Sequence, residues 1–169
     1  MFKSLPLTHK YLMYFMPLLM AVWVLTLIGT VHSYSDTQQQ ATLTPLTIAT
    51  PKGTFTYKIE LAISSQQRTR GLMFRKTMPQ DYGMLFDFDS TQKVAMWMKN
   101  TFIPLDMIFM RADGTIAHIV ENTTPHSLSI ISSRFPVQFV LELNAGEAKR
   151  TGMRPGQLMK YSIFQKPGG

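Results

Sequence analysis

The chain has 169 residues, of which 45% are apolar and 16% are charged, and it carries a formal net charge of +7. This length suits one domain with an appendage, because domains usually have about 100–200 residues. The sequence contains no cysteine, which excludes disulfides, thiolate zinc sites, iron–sulfur clusters and a cysteine nucleophile.

The N-terminal residues have the pattern of an export signal. Residues 1–10 carry Lys3 and Lys10, and residues 11–31 form an uncharged, mostly apolar stretch. A helix of that length would extend about 31 Å, which matches the hydrocarbon core of a bilayer. Because the basic residues precede the stretch, we expect residues 1–10 in the cytoplasm and the remainder of the chain on the other side of the inner membrane.

The same stretch could also belong to a cleaved signal peptide. Residues 31–33 (Val-His-Ser) are a poor cleavage site, and the apolar stretch exceeds the usual length of about 7–15 residues. We therefore predict a single-pass signal anchor with a periplasmic domain, and we keep secretion to the periplasm after cleavage as the alternative. Residues 32–45, rich in Ser, Thr and Gln, are predicted to be a flexible linker, and residues 46–169 a β domain.

The charge of the exported part is modest and scattered. Without Lys3 and Lys10, the 17 basic residues become 15 against 10 acidic residues, a net charge of +5. No basic stripe and no platform of alternating basic and aromatic residues is visible in the sequence, so nucleic acid is not an expected partner.

The domain is predicted to consist of short strands and two short helices. Alternating apolar and polar residues from Phe55 to Ile63 predict a half-buried strand. Ser64 or Ser65 can cap a helix over residues 66–70, which Gly71 would end. Further strands are predicted at 83–88, 94–99, 106–111, 115–121, 137–144 and 157–165, with a second helix at 145–151.

These elements predict a mainly β fold, an antiparallel β-sandwich or jelly-roll-like barrel with two short helices. Turn signals recur about every ten residues, as they do in sandwiches and barrels. No βαβ pattern of parallel strands is visible, so a Rossmann-type nucleotide site is not expected.

Several segments, taken in order, resemble a known family. They are Arg-Gly-Leu-Met-Phe-Arg at 70–75, Gly-Met-Leu-Phe at 83–86, Trp-Met-Lys-Asn-Thr at 97–101, Pro-Leu-Asp at 104–106, and Val-Leu-Glu-Leu at 140–143 with Gly146. Together they are similar to the DUF192 (UPF0127) family of small bacterial and archaeal proteins over about residues 59–164. The resemblance implies a mostly β, jelly-roll-like sandwich, often behind an export signal, and implies no particular activity.

The same motifs place polar residues among apolar ones. The candidate ligand-binding residues are Arg70, Trp97, Lys99, Asn100, Thr101, Asp106 and Glu142. One interpretation is a pocket in which these groups orient a ligand. The other is a buried structural network, in which Lys or Arg pairs with Asp or Glu while Asn and Thr hold the irregular backbone near Pro104.

A metal site is a weaker alternative. Met96 and Met98 would share one face of the predicted strand, and thioethers favour Cu(I). His118 is a further weak candidate. Since methionine also fills gaps in cores, we expect no cofactor.

The sequence favours a binding function over catalysis. It contains neither a Gly-x-Ser-x-Gly nor a Ser-x-x-Lys motif and no glycine-rich phosphate loop. We predict a membrane-tethered, periplasm-facing binding or accessory module for an envelope component or a partner protein. The alternatives are an envelope enzyme of the hydrolase type, with Asp106, Lys99 and Glu142 as acid–base groups, and a protein that binds Cu(I) or another metal.

Overall fold

The structure, a computed structural model, describes residues 43–164. The predicted cytoplasmic N-terminus (1–10), the predicted membrane segment (11–31) and most of the predicted linker (32–45) lie outside the described residues. Within 43–164, no helix is both long enough and apolar enough to cross a membrane.

Seven strands in one sheet and two short helices make up the described domain. The strands are β1 (Thr44–Thr50), β2 (Gly53–Ala62), β3 (Tyr82–Met96), β4 (Leu105–Met110), β5 (Ile116–Val120), β6 (Ile131–Asn144) and β7 (Met159–Lys160), and the helices are α1 (Ser65–Arg70) and α2 (Glu147–Thr151). Their order in the sheet is β5-β4-β6-β3-β2-β1-β7. The predicted mainly β class with two short helices is confirmed.

The sheet curls until its two edge strands approach each other. Thr115, just before β5, forms an antiparallel bridge with Leu158, just before β7. The amide of Met159 donates to the carbonyl of Gly114 at 3.1 Å, and the amide of Ile116 donates to the carbonyl of Gln157 at 2.9 Å. The sheet is therefore barrel-like, and these bonds satisfy backbone groups that an open edge would leave unpaired.

One pair of strands differs from the predicted antiparallel pattern. β2 and β3 run parallel, with Ile59 opposite Gly83 and Leu61 opposite Leu85, and α1 lies in the connection between them. The expectation that the chain has no βαβ unit is therefore wrong. A crossover is usually recognised by a helical pattern of about 10–15 residues, whereas α1 has only 6.

Helix α1 forms where the sequence predicts it. The side chain of Ser64 accepts a hydrogen bond from the amide of Gln67 at 3.1 Å, and the side chain of Gln67 accepts one from the amide of Ser64 at 2.9 Å. This reciprocal capping box fixes the start of the helix. Gly71, with φ at 45°, ends it.

Several strand boundaries differ from the predicted ones. The strands predicted at 83–88 and 94–99 are one long strand, β3, whose pairing with β6 is interrupted by register shifts. Pro136, which precedes the strand predicted at 137–144, lies within β6 opposite Lys93, beside such an irregularity, where the missing amide of proline is tolerated. The last predicted strand is reduced to the two residues of β7.

Both faces of the central strands are buried. A first cluster lines the inside of the curl and includes Tyr57, Leu85 and Leu141. A second cluster covers the other face and includes Phe86 and Val140. Neighbouring residues of one strand thus join different clusters, as the strand period of two requires. The irregular segments 71–81 and 97–104 contribute to the second cluster and form its cover.

The closure of the sheet can be tested at Gly114. Its φ is +85°, and a Cβ there would lie 2.7 Å from the carbonyl oxygen of Met159. We expect Gly114→Ala to lower the free energy of unfolding of residues 41–169 by about 2–4 kcal/mol, measured by urea denaturation. Gly156→Ala is the matched control, because Gly156 has φ +91° and open space around it. Equal losses in the two variants would contradict the close approach at Gly114.

Candidate functional site

A cleft opens on the second cluster, between α1 and the segment 97–104. It has a volume of about 320 Å³. We call it the α1 cleft; its lining includes Arg68, Thr69, Arg70, Leu72, Met73, Phe86, Phe88, Met96, Trp97, Lys99, Thr101 and Glu142.

Five of the seven predicted ligand-binding residues line the α1 cleft. They are Arg70, Trp97, Lys99, Thr101 and Glu142. Asn100 lies beside the cleft and holds its cover, because its carbonyl accepts a hydrogen bond from the amide of Phe74 at 2.9 Å. Asp106 is the exception and lies elsewhere. The strand order thus brings together residues that are more than 70 positions apart in the sequence.

Glu142 is the buried ionisable group of the α1 cleft. It lies on β6 with Met84 of β3 on one side and Met107 of β4 on the other, and it is 4% exposed. Within residues 43–164 it forms no salt bridge. Desolvation by burial raises its pKa to about 8. At neutral pH the carboxyl is therefore mostly protonated and can donate a hydrogen bond to a ligand.

Positive charge surrounds the mouth of the cleft. Arg70 and Lys99 are exposed, and neither forms a salt bridge with a described carboxylate. The Lys99 ammonium lies 5.1 Å from the centre of the Trp97 ring, a cation–π contact. Arg68 is already engaged, since it donates to the carbonyl of Asp87 at 2.7 Å and contacts the Asp89 carboxylate at 3.3 Å.

The ion pairs that the other interpretation of these residues requires do not form. Neither Lys99 nor Arg70 is paired with Asp106 or Glu142. The salt bridges found among residues 43–164 are Lys58–Asp81, Arg68–Asp89, Arg75–Glu60 and Arg150–Glu147. Arg70, Lys99 and Glu142 thus have no salt-bridge partner in the described domain, whereas Arg75 of the first motif pairs with Glu60.

Asp106 lies on the opposite face of the sheet. In the β4–β6 register Met107 is opposite Glu142, and Asp106 is opposite Leu143. Residues opposite each other on adjacent strands point to the same face, so Asp106 points away from the cleft. The expected grouping of Asp106 with Lys99 and Glu142 is therefore not formed.

Asp106 instead braces three parts of the chain. It is completely buried, and its two carboxylate oxygens accept hydrogen bonds from the amides of Asn122 at 2.9 Å and Ala148 at 2.8 Å. Ala148 lies in the first turn of α2, whose N-cap, Gly146, has no side chain to cap the helix. Asp106 supplies this missing cap from β4.

The weak metal candidates lie in different surroundings. Met96 ends β3 and lines the cleft, whereas Met98 is fully buried and its sulfur accepts a hydrogen bond from the Thr123 hydroxyl at 3.2 Å. The two were expected to share a strand face, but β3 ends at Met96. His118 stacks on Phe109 with ring centres 5.9 Å apart. Among residues 43–164, no group of three His, Asp or Glu side chains could hold a metal ion.

Some residues of the α1 cleft were not predicted from the sequence. Arg68, Leu72 and Met73 contribute to its lining, as do Phe86 and Phe88 from β3. A signal for Arg68 was available, because Arg68 and Arg70 share the last turn of the correctly predicted α1. The two phenylalanines could not be assigned without the register of β3.

Comparison with known proteins identifies relatives for most of the domain. A model of the DUF192 family, described as "Uncharacterized ACR", matches residues 47–161. A solved structure from Sinorhizobium meliloti 1021, provisionally designated a transcription regulator, is 52% identical, with 69% of this chain and 91% of that chain covered and a TM-score of 0.67. A protein of unknown function from Novosphingobium aromaticivorans DSM 12444 is 34% identical, with 70% of this chain and 85% of that chain covered and a TM-score of 0.68. No curated protein matches the chain.

The share of each chain that is matched shows that this domain can make up almost a whole folded protein. The match accounts for 91% of the Sinorhizobium chain but for only 69% of the present one. A protein that consists of little more than this domain therefore folds. Residues 41–169 are accordingly a suitable sample for experiments on the domain.

The brace at Asp106 predicts a large loss of stability. Asp106→Ala would leave the buried amide of Ala148 and the partly buried amide of Asn122 without acceptors, so we expect the free energy of unfolding to fall by about 3–5 kcal/mol, measured by urea denaturation. Asp113→Ala is the control, because Asp113 accepts a single bond from the amide of Thr115 in a partly exposed turn. A loss at Asp106 no greater than that at Asp113 would contradict the bracing role.

The raised pKa of Glu142 predicts a characteristic pH dependence. Its pKa is about 8 in the folded state against an ordinary value of 4.5, so between these values the folded state binds more protons than the unfolded state. Its contribution to stability is therefore fully present below about pH 4.5 and is lost as the pH rises through about 8. We expect the difference in unfolding free energy between Glu142→Gln and wild type to grow by roughly 1 kcal/mol per pH unit across this window.

Calorimetry of residues 41–169 from pH 5 to pH 9 would measure this difference. The control is Glu121→Gln, because Glu121 is exposed. A difference between Glu142→Gln and wild type that stays constant with pH would show that Glu142 is ionised in the folded protein.

Proposed function

The chain belongs to the DUF192 family, as its motifs predict, and we propose that its domain is a ligand-binding module whose α1 cleft takes a small anionic ligand with an apolar portion. One observation carries the proposal. Two exposed cations without salt-bridge partners in the described domain, Arg70 and Lys99, stand at the mouth of a cleft whose floor holds the buried Glu142.

The chemistry of the lining defines the class of ligand. Arg70 and Lys99 suit a phosphate, sulfate or carboxylate, because hydrogen bonds between a cation and an anion are about twice as strong as neutral ones. The side chains of Leu72, Phe86 and Met96 offer an apolar wall. A protonated Glu142 would donate a hydrogen bond to a ligand oxygen at the floor of the cleft.

We further propose that this module faces the periplasm and is tethered to the inner membrane by residues 11–31. The length of the apolar stretch and the basic residues before it support this arrangement. The ligand would then be an envelope component, or a group with the same chemistry on a partner protein.

The proposal does not extend the designation of the Sinorhizobium protein to this chain. Reading of DNA by a helix requires several turns in the major groove, whereas α1 has 6 residues and α2 has 5. The free cations Arg70 and Lys99 are grouped around a cleft and not along a helix.

An enzyme is the second candidate, and Glu142 is the observation that favours it. A carboxyl group with a pKa near neutrality in a cleft is suited to general acid catalysis. Asp106 cannot take part, since it lies on the other face of the sheet. The acid–base hypothesis is thereby reduced to Glu142 and Lys99.

The proposal is tested by native mass spectrometry of residues 41–169 isolated gently from the cells that make them. We expect an added mass that disappears on denaturation and whose occupancy falls by about tenfold or more in Arg70→Gln/Lys99→Gln. The control is Lys149→Gln/Arg154→Gln, which removes the same charges from exposed positions outside the cleft.

Three outcomes separate the hypotheses. No added mass, or an equal loss in both double variants, would count against the binding module. An added mass that is retained in Glu142→Gln, with turnover of that compound reduced by about 10²–10⁴-fold, would establish the enzyme instead. A copper-sized increment would identify the metal-binding alternative.

A further inference from the structure

Three loop segments come together beside the α1 cleft. They are residues 70–78, 97–104 and 122–130, and we call their joint surface the loop patch. Backbone hydrogen bonds connect them: the amide of Phe74 donates to Asn100 at 2.9 Å, that of His126 to Thr101 at 3.1 Å, and that of Met98 to Ser127 at 3.0 Å. The loop patch is thus a defined surface and not three independent loops.

The loop patch exposes large apolar side chains. They are Phe74 (59% exposed), Trp97 (42%), Phe102 (39%), Leu128 (67%) and Ile130 (67%). The Phe74 and Phe102 rings make a T-shaped contact with centres 6.2 Å apart, and the centres of the Phe102 and His126 rings are 5.0 Å apart. Contiguous exposed apolar surface of this kind usually marks a site of interaction with a protein or a membrane.

The backbone of the loop patch is held in an unfavourable conformation. Phe74, Asn100 and His126 have φ values of 67°, 55° and 61°. This left-handed region is unusual for residues other than glycine, and a bulky Phe there is a genuine outlier. Such conformations persist only where the surrounding structure imposes them, and they concentrate at functional sites.

The charge of the loop patch has one sign. The three segments contain Arg70, Arg75, Lys76 and Lys99 and not a single Asp or Glu. Arg75 is neutralised by a bidentate pair with Glu60 of β2, at 2.6 and 2.5 Å. The other three cations form no salt bridge with a described residue.

We propose that the loop patch docks on the surface of an anionic lipid bilayer. Exposed aromatic and aliphatic side chains that insert at the headgroup level, with Lys and Arg around them, are the combination that binds such surfaces. A patch for a soluble acidic protein would need the cations but would gain less from five exposed apolar side chains.

The chain outside the described domain is compatible with this contact. Twelve positions separate Val31, the end of the predicted membrane segment, from Leu43. An extended chain of that length reaches at most about 40 Å, well beyond the radius of gyration of about 14 Å expected for a domain of this size. The tether therefore permits any face of the domain, including the loop patch, to meet the bilayer.

Docking would also place the α1 cleft at the lipid surface. Arg70, Trp97 and Lys99 belong both to the loop patch and to the mouth of the cleft. If the proposed ligand-binding function holds, the ligand is then an anionic lipid headgroup. Phe74, Lys76 and Leu128 do not line the α1 cleft, so variants at these residues test docking separately from ligand binding.

The experiment is cosedimentation of residues 41–169 with vesicles, in the absence of residues 11–31. We expect binding to vesicles of phosphatidylcholine with one third phosphatidylglycerol to exceed binding to phosphatidylcholine alone by about tenfold, and to weaken at high salt. The variant Phe74→Ser/Leu128→Ser should bind the mixed vesicles about tenfold more weakly. Lys76→Gln should lower binding by about fivefold.

Matched controls remove the same groups elsewhere. Phe135→Ser/Leu158→Ser exchanges one Phe and one Leu, both exposed and outside the loop patch, and Lys160→Gln exchanges an exposed Lys on β7. Both controls should bind like wild type, and all variants should have wild-type circular dichroism and thermal unfolding.

Other outcomes would overturn the proposal. They are absence of binding to the mixed vesicles and equal loss in the patch and control variants. A third is a concentration-dependent dimer that Phe74→Ser/Leu128→Ser abolishes, with no vesicle binding, which would assign the loop patch to a second copy of the chain. None of these results affects the separate test of ligand binding in the α1 cleft, which is the added mass in native mass spectrometry.

Discussion

The burial of both faces of one curled sheet is the constraint on which the rest of the domain depends. The inner face encloses a core by closing on itself, but the outer face of β3, β4 and β6 has to be covered by something else. In this chain the cover consists of the irregular segments 71–81 and 97–104, and the six-residue helix α1, which buries no residue, lies beside it. Irregular segments do not cover a sheet as completely as a layer of helices would, and the α1 cleft is the space that they leave uncovered. The site is thus a consequence of how the outer face is covered.

Two buried acids show how strongly one step along a strand register changes the role of a residue. Asp106 and Glu142 belong to adjacent strands, yet one position of register separates the faces to which they point. Asp106 accepts hydrogen bonds from two backbone amides, so its buried carboxyl oxygens are satisfied and its role is structural. Glu142 lies on the outer face between Met84 and Met107, and burial raises its pKa to about 8. The same residue class therefore provides a brace on one face and a titratable group on the other.

This difference marks the limit of what the sequence could predict. Patterns that depend on neighbouring residues succeeded: the cap at Ser64, the end of the first helix at Gly71, and the mainly β class. Properties set by pairing between distant segments failed, because the parallel β2–β3 pair, the position of Pro136 inside β6 and the side to which Asp106 points are decided by register and not by local propensity. The motif residues that lie together in the α1 cleft are those on the outer side of the sheet, and Asp106, on the inner side, is not among them. The phenylalanines of β3 were missed because they resemble any core residue until their neighbours are known.

The cover of the outer face also explains why strain, exposed apolar surface and positive charge occur together. A loop that packs its inner side chains, such as Met98 and Ile103, on the sheet has to point its alternate side chains outward, and in this chain those are Trp97 and Phe102. Polar residues at these positions would give a more soluble cover with the same packing, and glycine at position 74 would remove the unfavourable φ of Phe74. Neither change would weaken the second cluster, so packing alone does not account for the residues present. The proposed contact with a bilayer, which uses apolar side chains and positive charge on the outward side, would account for them.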